Sequence, residues 1–269
     1  MYDLLSVPLK SVKLDNIKTQ TMKKIGLIGY PLTHSFSKTY FTNKFDEEKL
    51  SDEYCYENFP IDKIEDLPAL IKNNPDLIGL NVTIPYKESV VKYMDILDVE
   101  SSIMLAVNTI RIQQDGKLKG CNTDFTGFRD TLEDFLIKNG GYSEKALILG
   151  TGGASKAVAF ALEVLHIPYQ LVSRTKGKNR ITYEAISEAL INESDLIINT
   201  TPLGMYPAID SCPNIAYHCL TKNHRLYDLV YNPAESLFLK NGKKQGAAIL
   251  NGLPMLHAQA EAAWQIWQY

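Results

Sequence analysis

Short apolar runs alternate with stretches of helical period along most of the chain, the signature of strands covered by helices. Runs at 25–29, 54–59 and 77–84 predict strands. Between them, 41–50, 61–72 with Ile64, Leu67, Leu70 and Ile71 on one side, and 88–94 predict helices. Residues 107–119, with Asp115-Gly116 at their centre, predict a hairpin, and a helix over 125–138 stops at Gly140-Gly141. The pattern then restarts. A buried strand at 145–150 leads into a helix over 153–166 with Ala157, Val158, Ala161, Leu162 and Leu165 on its apolar side. Strands follow at 169–173, 196–200, 225–231 and 247–250, and a helix over 255–267 closes the chain. Residues 1–21 are weakly patterned and carry no apolar stretch with a cleavage site, so they are expected to be an extension ahead of a compact region starting near Met22.

Length adds a domain count: 269 residues favour two domains at roughly 150 residues each. With 45% apolar and 22% charged residues the chain is of ordinary globular balance. A net charge of −3 and a pI near 6.0 disfavour a dedicated nucleic-acid binder. No apolar run approaches the roughly 20 residues needed to span a bilayer. Cys55, Cys121, Cys212 and Cys219 are scattered without CxxC spacing, which suggests neither a zinc site nor a disulfide framework and fits a reducing cytoplasm. His166, His218, His224 and His257 show no ligand spacing, so no metal is expected.

The strongest local motif is strand, glycine turn and helix at residues 146–166. Gly150-Thr151-Gly152-Gly153-Ala154 lets the backbone approach a pyrophosphate, and the following helix start supplies free N–H groups. Ser155 stands where a third glycine is often found. At the end of the next strand, where an NAD site places an acidic residue, the chain has Ser173-Arg174-Thr175-Lys176-Gly177-Lys178. That basic loop favours NADP, with Arg174 placed to stack on adenine and pair with the 2′-phosphate.

The first half concentrates hydroxyls, amides and one acid/base pair at strand ends: Ser35 and Ser37, Asn81 to Lys87, Asn108-Thr109 and Asn122-Thr123-Asp124. This set suits a polyhydroxy acid. Nine motifs then occur in order: GYPLTHSFS, NVTIPYK, AVNT, NTDFTG, GTGGASKA, SRT, NTTPLGM, YDLVYNP and GLPMLHAQA. On them, the chain resembles the shikimate dehydrogenases, NADP-dependent oxidoreductases of chorismate and aromatic amino acid biosynthesis.

The resemblance implies an α/β protein of two domains, with the active site in the cleft between them. Residues 22–123 plus 253–269 would form the substrate domain, and 124–252 a somewhat shortened Rossmann-like NADP domain. It implies Lys87 and Asp124 as the catalytic pair, Ser35 and Ser37 on the substrate carboxylate, Thr83, Asn108 and Gln259 on its hydroxyls, and Tyr231 lining the pocket. The cofactor would be held by Gly150, Thr151, Gly152, Gly153, Ala154, Ser173, Arg174, Thr175 and Lys178, with Thr200 and its turn, Leu229, Gly252 and Met255 near the nicotinamide. His34 would pack in the pocket loop rather than serve as the acid. The implied partner is a small molecule, for a cytoplasmic monomer or homodimer.

Three departures from the family pattern matter: Lys38 replaces a usual proline, Ser173 a usual asparagine, and 175–196 is too short for a full helix, strand and helix. A helix or strand is expected to be missing there, which leaves Arg174 a safer phosphate ligand than Lys178. Two alternatives stand beside this reading, a quinate/shikimate dehydrogenase using NAD and a non-catalytic shikimate- or NADP-binding homologue.

Overall fold

The computed structural model describes residues 22–32 and 36–269. The expected extension at 1–21, and with it Thr33, His34 and Ser35, lies outside the described residues. The first segment runs β1 (Lys23–Gly29), α1 (Phe36–Glu47), β2 (Tyr54–Pro60), α2 (Leu67–Asn73), β3 (Leu77–Val82), β4 (Ile96–Leu97), α3 (Val99–Met104), β5 (Thr109–Ile112) and β6 (Leu118–Cys121). Helix α4 (Thr123–Lys138) leaves this sheet for a second segment. There follow β7 (Ala146–Leu149), α5 (Gly153–Val164), β8 (Tyr169–Ser173), β9 (Arg180–Thr182), α6 (Glu188–Asn192), β10 (Leu196–Asn199), β11 (Arg225–Asp228), α7 (Leu237–Lys244), β12 (Ala248–Leu250) and α8 (Leu253–Gln268).

The first sheet has the order β2-β1-β3-β5-β6-β4, with β5 antiparallel to both neighbours. The second is wholly parallel in the order β12-β11-β10-β7-β8-β9. Successive strands are added outward in opposite directions from β7 and β10, the switch point where an open parallel sheet leaves a crevice for a ligand. The Ala-Leu-Ile-Leu run of β7 is buried throughout, as a central strand covered on both faces must be.

Local chemistry explains the boundaries that matter for the site. Asn122 caps α4 by accepting a hydrogen bond from the Phe125 amide at 3.3 Å, and Gly140 and Gly141 leave the helix with positive φ. Helix α8 turns back onto the first sheet. Its Ala260, Ala263, Trp264 and Trp267 pack with Ile25, Phe41, Phe45 and Tyr56, and the Trp267 indole N–H donates to the Ile110 carbonyl at 2.9 Å. Burying each tryptophan contributes about 4–6 kcal/mol of apolar transfer free energy.

Several expected elements shift. The helix expected at 41–50 starts at Phe36, because the apolar face of Phe41 and Phe45 extends back through the polar turn Ser37-Lys38. Residues 88–94 form a 3-10 turn over Ser89–Tyr93 rather than an α-helix. Strand β4 and helices α3, α6 and α7 escape the periodicity reading, since all are short. In the shortened stretch the missing element is the crossover helix. Strand β9 pairs parallel with β8, Leu171 opposite Arg180, across residues 174–179 alone. Among the described residues no helix is long and apolar enough to cross a membrane.

Candidate active site

Two cavities bear on the site, the smaller lined by residues of both segments and the larger by the second segment alone. The smaller, of about 400 Å³, is lined on one wall by Ile84, Pro85, Lys87, Glu88 and Ser89 and on the other by Gly153, Lys156 and Ala157, with Asn122 and Asp124 at its floor. Lys87 follows β3 because Pro85 cannot extend a ladder. Asp124 sits in the first turn of α4, where the helix dipole favours a carboxylate. The two meet at 2.6 Å, Nζ to Oδ2, with both side chains partly open to the cavity. A second ion pair, Lys156 to Glu88 at 2.6 Å, spans the rim from α5 to the residue after Lys87.

Behind this pair runs a buried polar network. The Asn108 carboxamide oxygen accepts from the Thr123 amide at 2.8 Å and from the Thr109 hydroxyl at 3.0 Å, and its Nδ2 donates to the Thr123 hydroxyl at 3.0 Å. Asn81 reaches Thr109 at 3.3 Å and accepts from the Tyr56 hydroxyl at 2.7 Å, while Ser37 hydrogen-bonds Tyr56. Burial pushes the Tyr56 phenol far above its ordinary range, so it stays a neutral donor. Asn108 and Ser37 are thus joined through Tyr56, Asn81 and Thr109. Tyr56 has no hydroxyl-rich motif around it, and only its alternation within β2 marks it as inward-facing. Thr83 is half-buried at the end of β3, and Gln259 is buried, donating to the Leu256 carbonyl at 2.9 Å. Tyr231 is exposed and lies 6.2 Å from Phe36, ring to ring.

The larger cavity, about 680 Å³, lies over the switch point. Gly150, Thr151, Gly152, Ser173, Arg174, Thr175 and Thr200 line it, together with Tyr183, Thr201, Pro202 and Leu203. Gly150 has φ +113°, and a Cβ there would stand 2.7 Å from the Thr200 hydroxyl, so only glycine leaves this cradle open. Ser173 shapes the basic loop by accepting from the Thr175 amide at 3.3 Å.

Five residues expected at the cofactor, Ala154, Lys178, Leu229, Gly252 and Met255, line neither cavity, and Gly153 faces the smaller one. Lys178 is exposed on the loop left without its crossover helix. Met255 is buried in the core cluster with Phe125 and Phe128, and Gly252 backs onto the Leu229 carbonyl. Tyr183 was missed because it follows a strand too short to show in the apolar pattern. Among the described residues, Glu188, His218 and Cys219 place donor atoms within 4.8 Å of one another at the surface, away from both cavities. Histidine spacing does not reveal that grouping, since Glu188 arrives from α6.

The turn opposite Arg174 hangs on a buried acid. Asp228, fully buried at the end of β11, accepts from Asn199 Nδ2 at 2.9 Å, from the Val230 amide at 3.0 Å and from the Ser236 hydroxyl. Asn199 in turn accepts from the Thr201 amide and hydroxyl at 3.0 and 2.6 Å. Burial pushes the Asp228 carboxyl up to about 6, against the pull of those three donors.

Residues 27–110 match the family described as the shikimate dehydrogenase substrate binding domain. A protein of Caldanaerobacter subterraneus subsp. tengcongensis named shikimate dehydrogenase (NADP(+)) is 38% identical, over 92% of each chain. The chain belongs to the shikimate dehydrogenase family. A solved shikimate dehydrogenase in complex with NADP+ is 35% identical and superposes with a TM-score of 0.79 over 91% of this chain and 90% of the other. A quinate dehydrogenase from Corynebacterium glutamicum in complex with NAD shares the fold at 26% identity and a TM-score of 0.81, over 91% and 93% of the two chains.

Proposed function

We propose that this protein is an NADP-dependent shikimate dehydrogenase, reversibly reducing 3-dehydroshikimate to shikimate. The observation that carries this reading is the 2.6 Å Lys87–Asp124 pair, set in a cavity whose far wall is the first turn of the dinucleotide-type helix α5. Residues 22–123 with 253–269 form the substrate-binding unit in this reading, and 124–252 the cofactor-binding unit.

The larger cavity suits a dinucleotide: Gly150 opens it to a pyrophosphate, Arg174 supplies a cation, and Tyr183, Pro202 and Leu203 add apolar wall. When bound, NADPH supplies the hydride that reduces the substrate carbonyl. The chain's own part is to bind, orient and protonate. Ser35 and Ser37 hold the carboxylate. Thr83, the second N–H of Asn108 and Gln259 hold the hydroxyls, and Tyr231 borders the opening. The Lys87 ammonium donates its proton to the oxygen as negative charge develops there, and the Asp124 carboxylate steers that ammonium and accepts from a neighbouring substrate hydroxyl. In the oxidative direction the same pair removes the proton.

Arg174, with no acidic residue at the end of β8, supports NADP over NAD. The quinate dehydrogenase neighbour makes NAD and quinate the alternative to test. Four free cysteines fit a reducing cytoplasm, and the substrates are small molecules. The test is 3-dehydroshikimate reduction by parent and Lys87→Ala, with NADPH and NADH compared. A fall in kcat of about 10²–10⁴ with a much smaller change in KM is expected. An unchanged kcat, or preference for NADH, would overturn the assignment.

A further inference from the structure

Loss of the crossover helix between β8 and β9 changes what meets the outer end of the cofactor cavity. A parallel pair is ordinarily joined by a dozen or more residues, usually carrying a helix that covers one face. Here residues 174–179 make the whole connection, and they fold back on themselves through a Gly177–Arg180 bridge. The guanidinium of Arg180 lies against Gly177, where a Cβ would be 2.4 Å from Nε. The loop is therefore drawn down over the edge strand, and the next residue after β9 that faces the cavity is Tyr183.

The strand ends of the second sheet lie in spatial order. The glycine turn Gly150–Gly152 follows β7, Arg174 follows β8, and Tyr183 follows β9. A pyrophosphate belongs at the first of these and the adenosine ribose at the second. The base then falls at the third. Pro202 and Leu203 line the same cavity, so Tyr183 is one of three side chains there that offer apolar surface to a flat ring. Among the described residues the Tyr183 hydroxyl has no hydrogen-bond partner and is buried, so what this side chain offers the cavity is its ring. Arg174 is close enough to draw the phenol down from the raised value that burial imposes.

We propose that Tyr183 is the adenine-binding residue of this chain, its ring forming the wall against the base. The assignment rests on the dinucleotide reading above and extends it to a segment that this chain has rebuilt. Tyr183 packs on the base, which NADP+ and NAD+ share, whereas Arg174, beside the ribose, also reaches the phosphate that only NADP+ carries. The two roles separate experimentally.

The test is calorimetric titration of NADP+ and NAD+ into parent, Tyr183→Phe, Tyr183→Leu and Arg174→Gln proteins without substrate, with near-ultraviolet circular dichroism confirming the fold. Leucine keeps apolar bulk against Ile186, Leu190 and Tyr217, so the cluster beneath stays filled. Tyr183→Leu is expected to raise both Kd values by the same factor, about tenfold or more given the usual stacking contribution of an aromatic side chain to a base. Tyr183→Phe keeps the ring and is expected to leave both within twofold of the parent, and Arg174→Gln to raise the NADP+ value by more than the NAD+ value. Kd values within twofold of the parent in Tyr183→Leu, or Tyr183→Phe as weak as Tyr183→Leu, would overturn the proposal. So would a Tyr183 variant that weakens NADP+ and spares NAD+, which would place the hydroxyl at the 2′-phosphate. A parent protein that binds neither dinucleotide would overturn the cofactor reading itself.

Discussion

Replacing Asp228 with asparagine should change how stability depends on pH more than it changes stability itself. The folded carboxyl titrates at about 6, against 3.8 for an unburied aspartate, because burial outweighs its three donors. In the unfolded chain this group loses its proton near pH 4, while in the folded protein it keeps it to about pH 6. Its stabilising contribution is therefore fully present below pH 4, declines as pH rises to about 6, and is flat above. The displacement corresponds to about 3 kcal/mol. Asparagine preserves the hydrogen bonds: its oxygen accepts from Asn199 and Val230, and its amide donates to the Ser236 hydroxyl. It has no proton to lose, so Asp228→Asn should escape the decline. In calorimetric melts the variant's Tm minus the parent's should grow by about 6–12 °C between pH 4 and pH 7.5, at about 2–4 °C per kcal/mol for a chain of this size. A difference that stays constant across that range would refute the reasoning, whatever its sign.

Three other outcomes are expected. Gly150→Ala should abolish measurable NADP+ binding while the protein stays folded, because the new methyl would stand 2.7 Å from the Thr200 hydroxyl at a φ of +113°; titration checks this. Trp267→Ala should cost about 3–5 kcal/mol in denaturant unfolding, since it empties a buried site and removes the donor to Ile110. Lys156→Gln removes an ion pair exposed on both sides, so kcat/KM should fall no more than about fivefold, and by less at high salt.

The centre of the parallel second sheet was legible because β7 and β10 are buried throughout and read as continuous apolar runs, with glycine between β7 and α5. The Lys87–Asp124 pair was legible from motif order, although residues this far apart declare no distance until β3 and α4 bring them together. What escaped is instructive. Tyr56 and Asp228 act through burial and through partners far along the chain, Asn81 and Asn199, and neither property has a period. The same holds for β9 and α6, whose short spans carry too few apolar positions to show a repeat. Gly252 and Met255 show the converse: one precedes α8 and the other lies in its first turn, and the structure sets the first against the Leu229 carbonyl and the second in the core with Phe125 and Phe128.

The return of α8 to the first sheet also orders events during synthesis. All six strands of the second sheet, and the helices over them, are contiguous in the chain and leave the ribosome before α8 does. The first sheet emerges earlier, yet Ile25, Phe41, Phe45 and Tyr56 wait for Trp264 and Trp267 to close over them. The half translated first is thus the half completed last. Until α8 emerges, a nascent chain carries an uncovered aromatic face, the kind of surface that chaperones recognise.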